Sequence, residues 1–139
     1  MIRHTVYLEA PNATQDLLNI KWTLLSAGYA IGSTWHESEP GSSSGGGADH
    51  WNAGRVEQLQ VCDSLVVVNG GKDTAVPEVS MMAGFALARG LRVVWIGAPV
   101  RGLCDFRAVQ PFATAEDFRE QILLQRHSPP RSTDQRLAA

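Results

Sequence analysis

The segment Ser64-Leu-Val-Val-Val68 most constrains what this chain can fold into, together with the Asn69-Gly70-Gly71 break, the helical pattern from Pro77 to Arg89 and the apolar run Leu91 to Ile96 that follow it. A short run dense in β-branched residues, without polar alternation, reads as a strand buried on both faces, as in a parallel sheet covered by helices. Pro77 suits the first helical position, where its missing N–H is no loss, and Gly90 suits the helix exit. Glu78 then falls in the first turn of a helix that follows a buried strand, at the end of the sheet where open α/β folds place their ligands. The helix macrodipole alone also favours an acidic residue there, without any chemistry.

The same alternation runs along the rest of the chain. His4 to Leu8 reads as a first strand ending at Ala10-Pro11-Asn12, and Asn12 or Thr14 can cap a helix whose apolar stripe is Leu17, Leu18, Ile20, Leu24 and Leu25, with Gly28 as its stop. Tyr29 to Trp35 reads as a second strand, and Trp51 to Cys62 as a second helix. Between them, residues 37–49 are so rich in Gly and Ser that a mobile loop is expected, one that closes as a lid between Trp35-His36 and His50-Trp51. A last strand is expected from Phe106 to Phe112, and a final helix capped at Thr114-Ala-Glu-Asp117 that carries Phe118, Ile122 and Leu123. Trp22, Trp95, Val79, Met82, Phe85 and Ala86 read as core. The expectation is one α/β domain over residues 1–126, followed by a disordered tail over 127–139. Its fold would be a flavodoxin-like doubly wound parallel five-stranded sheet of order 2-1-3-4-5. The crevice would be lined by Tyr7 to Asn12 (with Pro11), by Trp35 and the loop after it, and by Asn69, Gly70 and Gly71 through to Glu78.

Composition narrows the function classes. The chain has 139 residues, with 12 Lys and Arg against 14 Asp and Glu and a formal net charge of −2. The basic residues are dispersed, so no nucleic-acid polymer is expected as a partner. Cys62 and Cys104 lack CxxC spacing and read as buried thiols, and His36 and His50 lack a third ligand and read as solvated, so no metal is expected. No apolar run approaches about 18 residues and no leader pattern is visible, so the expectation is no membrane and a cytoplasmic location. GxGxxG and GxxxxGK[ST] are absent, a receiver-type Asp is replaced by Asn69, and the first turn offers little hydroxyl for a flavin phosphate; no cofactor is expected.

Three segments carry a resemblance. They are Val6-Tyr-Leu-Glu-Ala-Pro11, Leu59-Gln-Val-Cys-Asp-Ser-Leu-Val-Val-Val68, and Asp73-Thr-Ala-Val-Pro-Glu-Val-Ser-Met-Met-Ala-Gly-Phe-Ala-Leu-Ala-Arg-Gly-Leu-Arg-Val-Val94. Over roughly residues 4 to 125 the chain resembles the nucleoside 2-deoxyribosyltransferase-like family, which includes deoxynucleoside 5′-monophosphate N-glycosidases. The third segment is the most specific. The resemblance implies that Glu78 is a nucleophile that captures an oxocarbenium-like anomeric carbon, that Asp73 orients sugar hydroxyls or the carboxylate, and that Tyr7 holds the carboxylate, unless its ring simply packs in the core. It also implies a homodimer or higher homo-oligomer.

Two departures stand beside the match. The family's Asp eight positions before the residue matching Asp63 is Arg55, and the Gly of its E-x-G pattern is Ser80. Arg55 can bind a 5′-phosphate or be a solvated helix arginine; Trp35 can stack on a base or pack. The expected function is therefore an N-glycosyl hydrolase or transferase acting on a small-molecule nucleoside or nucleoside 5′-monophosphate. A catalytically silent nucleotide-binding module that senses or sequesters a nucleotide-derived signal is the alternative of a different class.

Overall fold

The computed structural model describes residues 4–11, 14–37, 48–70 and 77–127. Five strands, β1 (Thr5–Glu9), β2 (Ala30–Ile31), β3 (Ser64–Gly70), β4 (Arg92–Gly97) and β5 (Val109–Phe112), alternate with four helices, α1 (Gln15–Ser26), α2 (Ala48–Gln60), α3 (Pro77–Ala88) and α4 (Ala115–His127). The strands form one sheet of order β2-β1-β3-β4-β5, every pairing parallel, which is the flavodoxin-like arrangement expected from the sequence.

Because side chains alternate across a strand, each strand feeds two cores. Val6, Leu8, Val66, Val68, Val94 and Ile96 pack with Leu17, Ile20 and Leu24 of α1 and Phe118 and Ile122 of α4. Tyr7, Leu65, Val67, Val93 and Trp95 pack on the other face with Leu59, Cys62, Val79, Met82, Ala83 and Ala86, from α2, its exit and α3. By the same period Glu9 belongs to the Tyr7 face. Thr14 caps α1 by accepting from the Leu17 N–H at 3.3 Å, and Thr114 caps α4 by accepting from Asp117 N–H at 3.1 Å. Gly28 and Gly90 leave α1 and α3 with φ of 96° and 75°, conformations that L side chains resist. Pro77 opens α3.

Several expectations are corrected. The second strand does not run from Tyr29 to Trp35. After Ile31 the hydroxyl of Ser33 takes the Leu8 N–H at 3.0 Å, so a side chain replaces the ladder acceptor and the chain turns into a short 3-10 helix at Trp35–Glu37. Trp22 is 64% exposed rather than core, because α1 buries Leu17, Ile20 and Leu24 and Trp22 lies on the opposite side of that stripe. The last strand begins only at Val109; Phe106 is exposed and its carbonyl closes a turn onto the Val109 N–H. Cys104 is half-buried instead of buried, accepting the Val100 N–H at 3.3 Å. Of the loop expected over residues 37–49, Glu37 ends the 3-10 helix and Ala48 and Asp49 open α2, and of the tail expected over 127–139, His127 closes α4; residues 38–47 and 128–139 lie outside the described residues.

Gly32 marks a close approach. A Cβ there would lie 2.5 Å from Cys62 Sγ and 3.0 Å from Thr5 Cγ2, whereas a Cβ at Gly54, on the exposed side of α2, would meet nothing within 4 Å. Gly32→Ala should therefore lower stability by about 1–3 kcal/mol through overpacking. Gly54→Ala should raise it by about 0.5–1 kcal/mol through helix propensity. Urea unfolding of the two variants checks both signs.

Candidate functional site

At the carboxyl end of the sheet the chain brings together groups that the interior disfavours. Glu9, the last residue of β1, has no solvent exposure at all. Its Oε1 accepts from Arg55 Nη1 of α2 at 2.9 Å and from the following Ala10 N–H at 3.1 Å. Among the described residues, Glu9 Oε2 and the buried Tyr7 hydroxyl have no hydrogen-bond partner. Burial pushes the Glu9 carboxyl up from its ordinary 4.5 to about 7; Arg55 and the Ala10 N–H pull the other way, and the charge of Glu78 adds to the rise. Desolvation of a wholly buried carboxylate thus outweighs a single guanidinium. Burial also drives the Tyr7 phenol well above its usual value, with Glu9 adding to this and Arg55 opposing it, so the hydroxyl keeps its proton.

The guanidinium is itself held. Arg55 is 8% exposed, and its Cζ lies 4.6 Å from the centroid of the Trp35 ring. Trp35 in turn donates from Nε1 to the Leu8 carbonyl at 2.7 Å, which ties the ring to β1. His36 meets that ring edge-on at 5.5 Å and shares a 3.0 Å hydrogen bond through Nε2 with Ser33 Oγ. Ser33, at 1% exposure and already accepting from Leu8 N–H, is an anchor for the strand end.

On the neighbouring strand Asn69 donates from Nδ2 to the Ala98 carbonyl at 2.8 Å, and Trp95 Nε1 donates to the same oxygen at 2.8 Å. The register between β3 and β4 shifts between Val68 and Gly70, where β3 ends. Glu78 is exposed in the first turn of α3, where the helix dipole favours an anion, and Ser80 is half-buried one residue beyond the buried Val79.

Of the residues singled out from the sequence, Tyr7, Trp35, Arg55 and Glu78 are thus placed around one carboxyl, Glu9. Tyr7 has its ring in the core beneath α2 and α3. Arg55 is not a solvated helix arginine: the sheet and Trp35 enclose it, and a phosphate would have to share it with Glu9. His36 is buried at 7% exposure rather than solvated. Pro11 is half-buried just after β1. Asn12, Gly71 and Asp73 lie outside the described residues, as do the side chains of His50 and Trp51. Among the described residues no group of three or more His, Cys, Asp and Glu side chains could hold a metal, and no helix is long and apolar enough to cross a membrane.

Glu9, Ser33 and the inward face of His36 were missed by sequence reasoning. The available signal was an acidic residue at the end of a strand expected to be buried on both faces, with an Arg where the resemblance expects an acid.

The sheet order and covered faces define a flavodoxin-like α/β protein. No protein-family model and no curated protein matches the chain. Among solved structures it is similar to a conserved protein from Enterococcus faecalis V583, with a TM-score of 0.63 and 14% identity over 89% of this chain and 99% of that one. At that identity the likeness concerns the fold.

Two measurements check the electrostatic account. The folded chain holds the Glu9 proton where the unfolded chain has released it, so the stability from this group is present in full below pH 4.5 and is lost as pH rises through about 7. Wild-type stability relative to Glu9→Gln should therefore fall by about 3 kcal/mol between about pH 4 and 8. Arg55→Met, which strips the buried carboxyl of its counter-charge, should cost about 3–5 kcal/mol at pH 8, whereas the double variant Glu9→Leu/Arg55→Met should be close to wild type. Denaturant unfolding of the single and double variants reads the difference.

Proposed function

We propose that the protein cleaves the N-glycosidic bond of a nucleoside or nucleoside 5′-monophosphate, by hydrolysis or by transfer of the sugar to another base. The observation that carries this reading is the pairing of two carboxyl groups in opposite environments at one end of the sheet. Glu78 is exposed on a helix N-terminus, and Glu9 is buried, proton-retaining and within the field of Glu78. Pairs of titratable groups whose surroundings drive them apart are how sites divide nucleophile from acid. The resemblance of the segment around Glu78 to deoxyribosyltransferase-like sequences supports the choice of bond. Cleavage there generates an oxocarbenium-like carbon that a carboxylate captures.

In this reading Glu78 attacks the anomeric carbon, the Tyr7 hydroxyl lies on the same face of the sheet, and Trp35 and Asn69 help form the wall against which the nucleoside binds. A second reading, binding without turnover, is favoured by the engagement of Arg55 with Glu9, which fills part of the crevice with protein groups.

Incubation with a panel of purine and pyrimidine nucleosides and their 5′-monophosphates, with chromatography for free base, separates the two. Base release that falls at least about 10³-fold in Glu78→Gln, with folding unchanged, is expected. Saturable binding by calorimetry with no base released would instead establish the silent module.

A further inference from the structure

Glu9 is not explained by folding. A carboxyl with no exposure, one oxygen without a partner among the described residues and a buried phenol beside it disfavours the native state, since an unmatched buried polar group forfeits its hydration without replacement. Such groups call for an explanation beyond packing, a catalytic role among them. The geometry also distinguishes the two oxygens. Oε1 accepts both the Arg55 Nη1 bond at 2.9 Å and the Ala10 N–H bond at 3.1 Å, so a proton on the carboxyl resides on Oε2, the oxygen with no protein partner. The holding chain is stiff: Leu8 carbonyl to Trp35 indole, Trp35 ring to Arg55, Arg55 to Glu9.

We infer that Glu9 is the proton donor to the departing base, through Oε2, and that Arg55 is the residue that positions it. This rests on the glycosyl reading above. In the first step the C1′–N bond breaks and its electron pair stays with the base nitrogen, which takes the proton from Glu9 Oε2 either at that nitrogen or at a ring nitrogen conjugated with it. The Glu78 carboxylate forms the bond to C1′. In the second step the oxygen of water, or the nitrogen of an incoming base, bonds to C1′ and releases Glu78, and its proton returns to the Glu9 carboxylate. No oxidant, metal or cofactor enters the balance. Burial holds the Glu9 proton up to about neutral pH, which lets one group act as acid and then as base.

The test compares leaving groups. A purine nucleoside needs its base protonated; the 4-nitrophenyl glycoside of the same sugar does not. In single-turnover measurements, Glu9→Gln should lower base release at least about a hundredfold but nitrophenolate release less than about tenfold, whereas Glu78→Gln lowers both. Arg55→Gln, which removes the cation that opposes proton uptake, should shift the basic limb of the wild-type pH profile to higher pH, and Arg55→Lys, which keeps a cation, should show only part of that shift. A purely structural Arg55 would lower the amplitude and leave the limb in place. Should Glu9→Gln not fold, the wild-type profile decides: a basic limb with the purine nucleoside that is missing with the nitrophenyl glycoside supports the inference. Equal losses on both substrates, no loss, or the same limb on both overturn Glu9 as donor while leaving the glycosyl reading intact. Failure of the wild-type protein to release base from any substrate overturns both.

Discussion

Burial of both faces of a parallel sheet leaves a strand with no solvent side to which a charged residue can be sent. Every residue of β1 from Val6 to Glu9 is therefore committed to one of two cores, and the alternation that places Tyr7 against α2 and α3 places Glu9 there as well. Once the carboxyl is inside, its neighbours are dictated. A counter-charge must come from a covering helix, which is Arg55; its long, weakly hydrated guanidinium tolerates burial better than an ammonium would and lies over the Trp35 ring. Trp35 can be there only because the chain leaves the sheet after Ile31, and it leaves because Ser33 takes over the Leu8 N–H. The ion pair thus follows from one charged residue in a doubly covered strand, while the short second strand and the 3-10 turn, set by Ser33, supply the ring that covers it.

The pair does not recommend itself on stability grounds. Desolvating two ions generally consumes what their attraction returns, and an apolar pair of similar volume does as well or better. At Glu9 the same imbalance follows from burial, which pushes the carboxyl up to about 7 against the pull of a guanidinium at 2.9 Å. Strained or under-satisfied groups of this kind accumulate at sites, and the carboxyl end of the sheet is where an open α/β fold presents its loops and helix N-termini to a ligand.

The fold was legible because its signals are local. Continuous β-branched runs gave the buried strands, Pro77, Gly28, Gly90 and the threonine caps gave the helix limits, and the alternation of the two gave the strand order later seen in the sheet. Where locality failed, so did the reading. Trp22 reads as core, but the period of α1 turns it outward. The second strand reads as running to Trp35, whereas a hydroxyl competing for one backbone donor ends it after Ile31. Within the site, Glu78 and Arg55 stand out by spacing. Glu9 and its partner are 46 positions apart, so each residue is noticeable in its own neighbourhood but their contact is set by the fold.

The exchange at Arg55 gains a meaning once that contact is visible. Taken alone, an arginine where an acid is expected removes a carboxyl from the crevice. Taken with Glu9, it is one side of a contact in which the acid comes from β1 and the arginine holds it. The two placements differ in consequence. A carboxyl on a helix can reach solvent and ionise freely, whereas one at the end of a doubly covered strand is desolvated by the fold itself, so its proton is retained by burial before any ligand arrives. Arg55 limits that retention, keeping the carboxyl near the neutral range instead of far above it. A buried acid alone would hold its proton too tightly to give up, and a well-paired one would have none to give. The combination of full burial with one guanidinium and one backbone N–H lies between these limits.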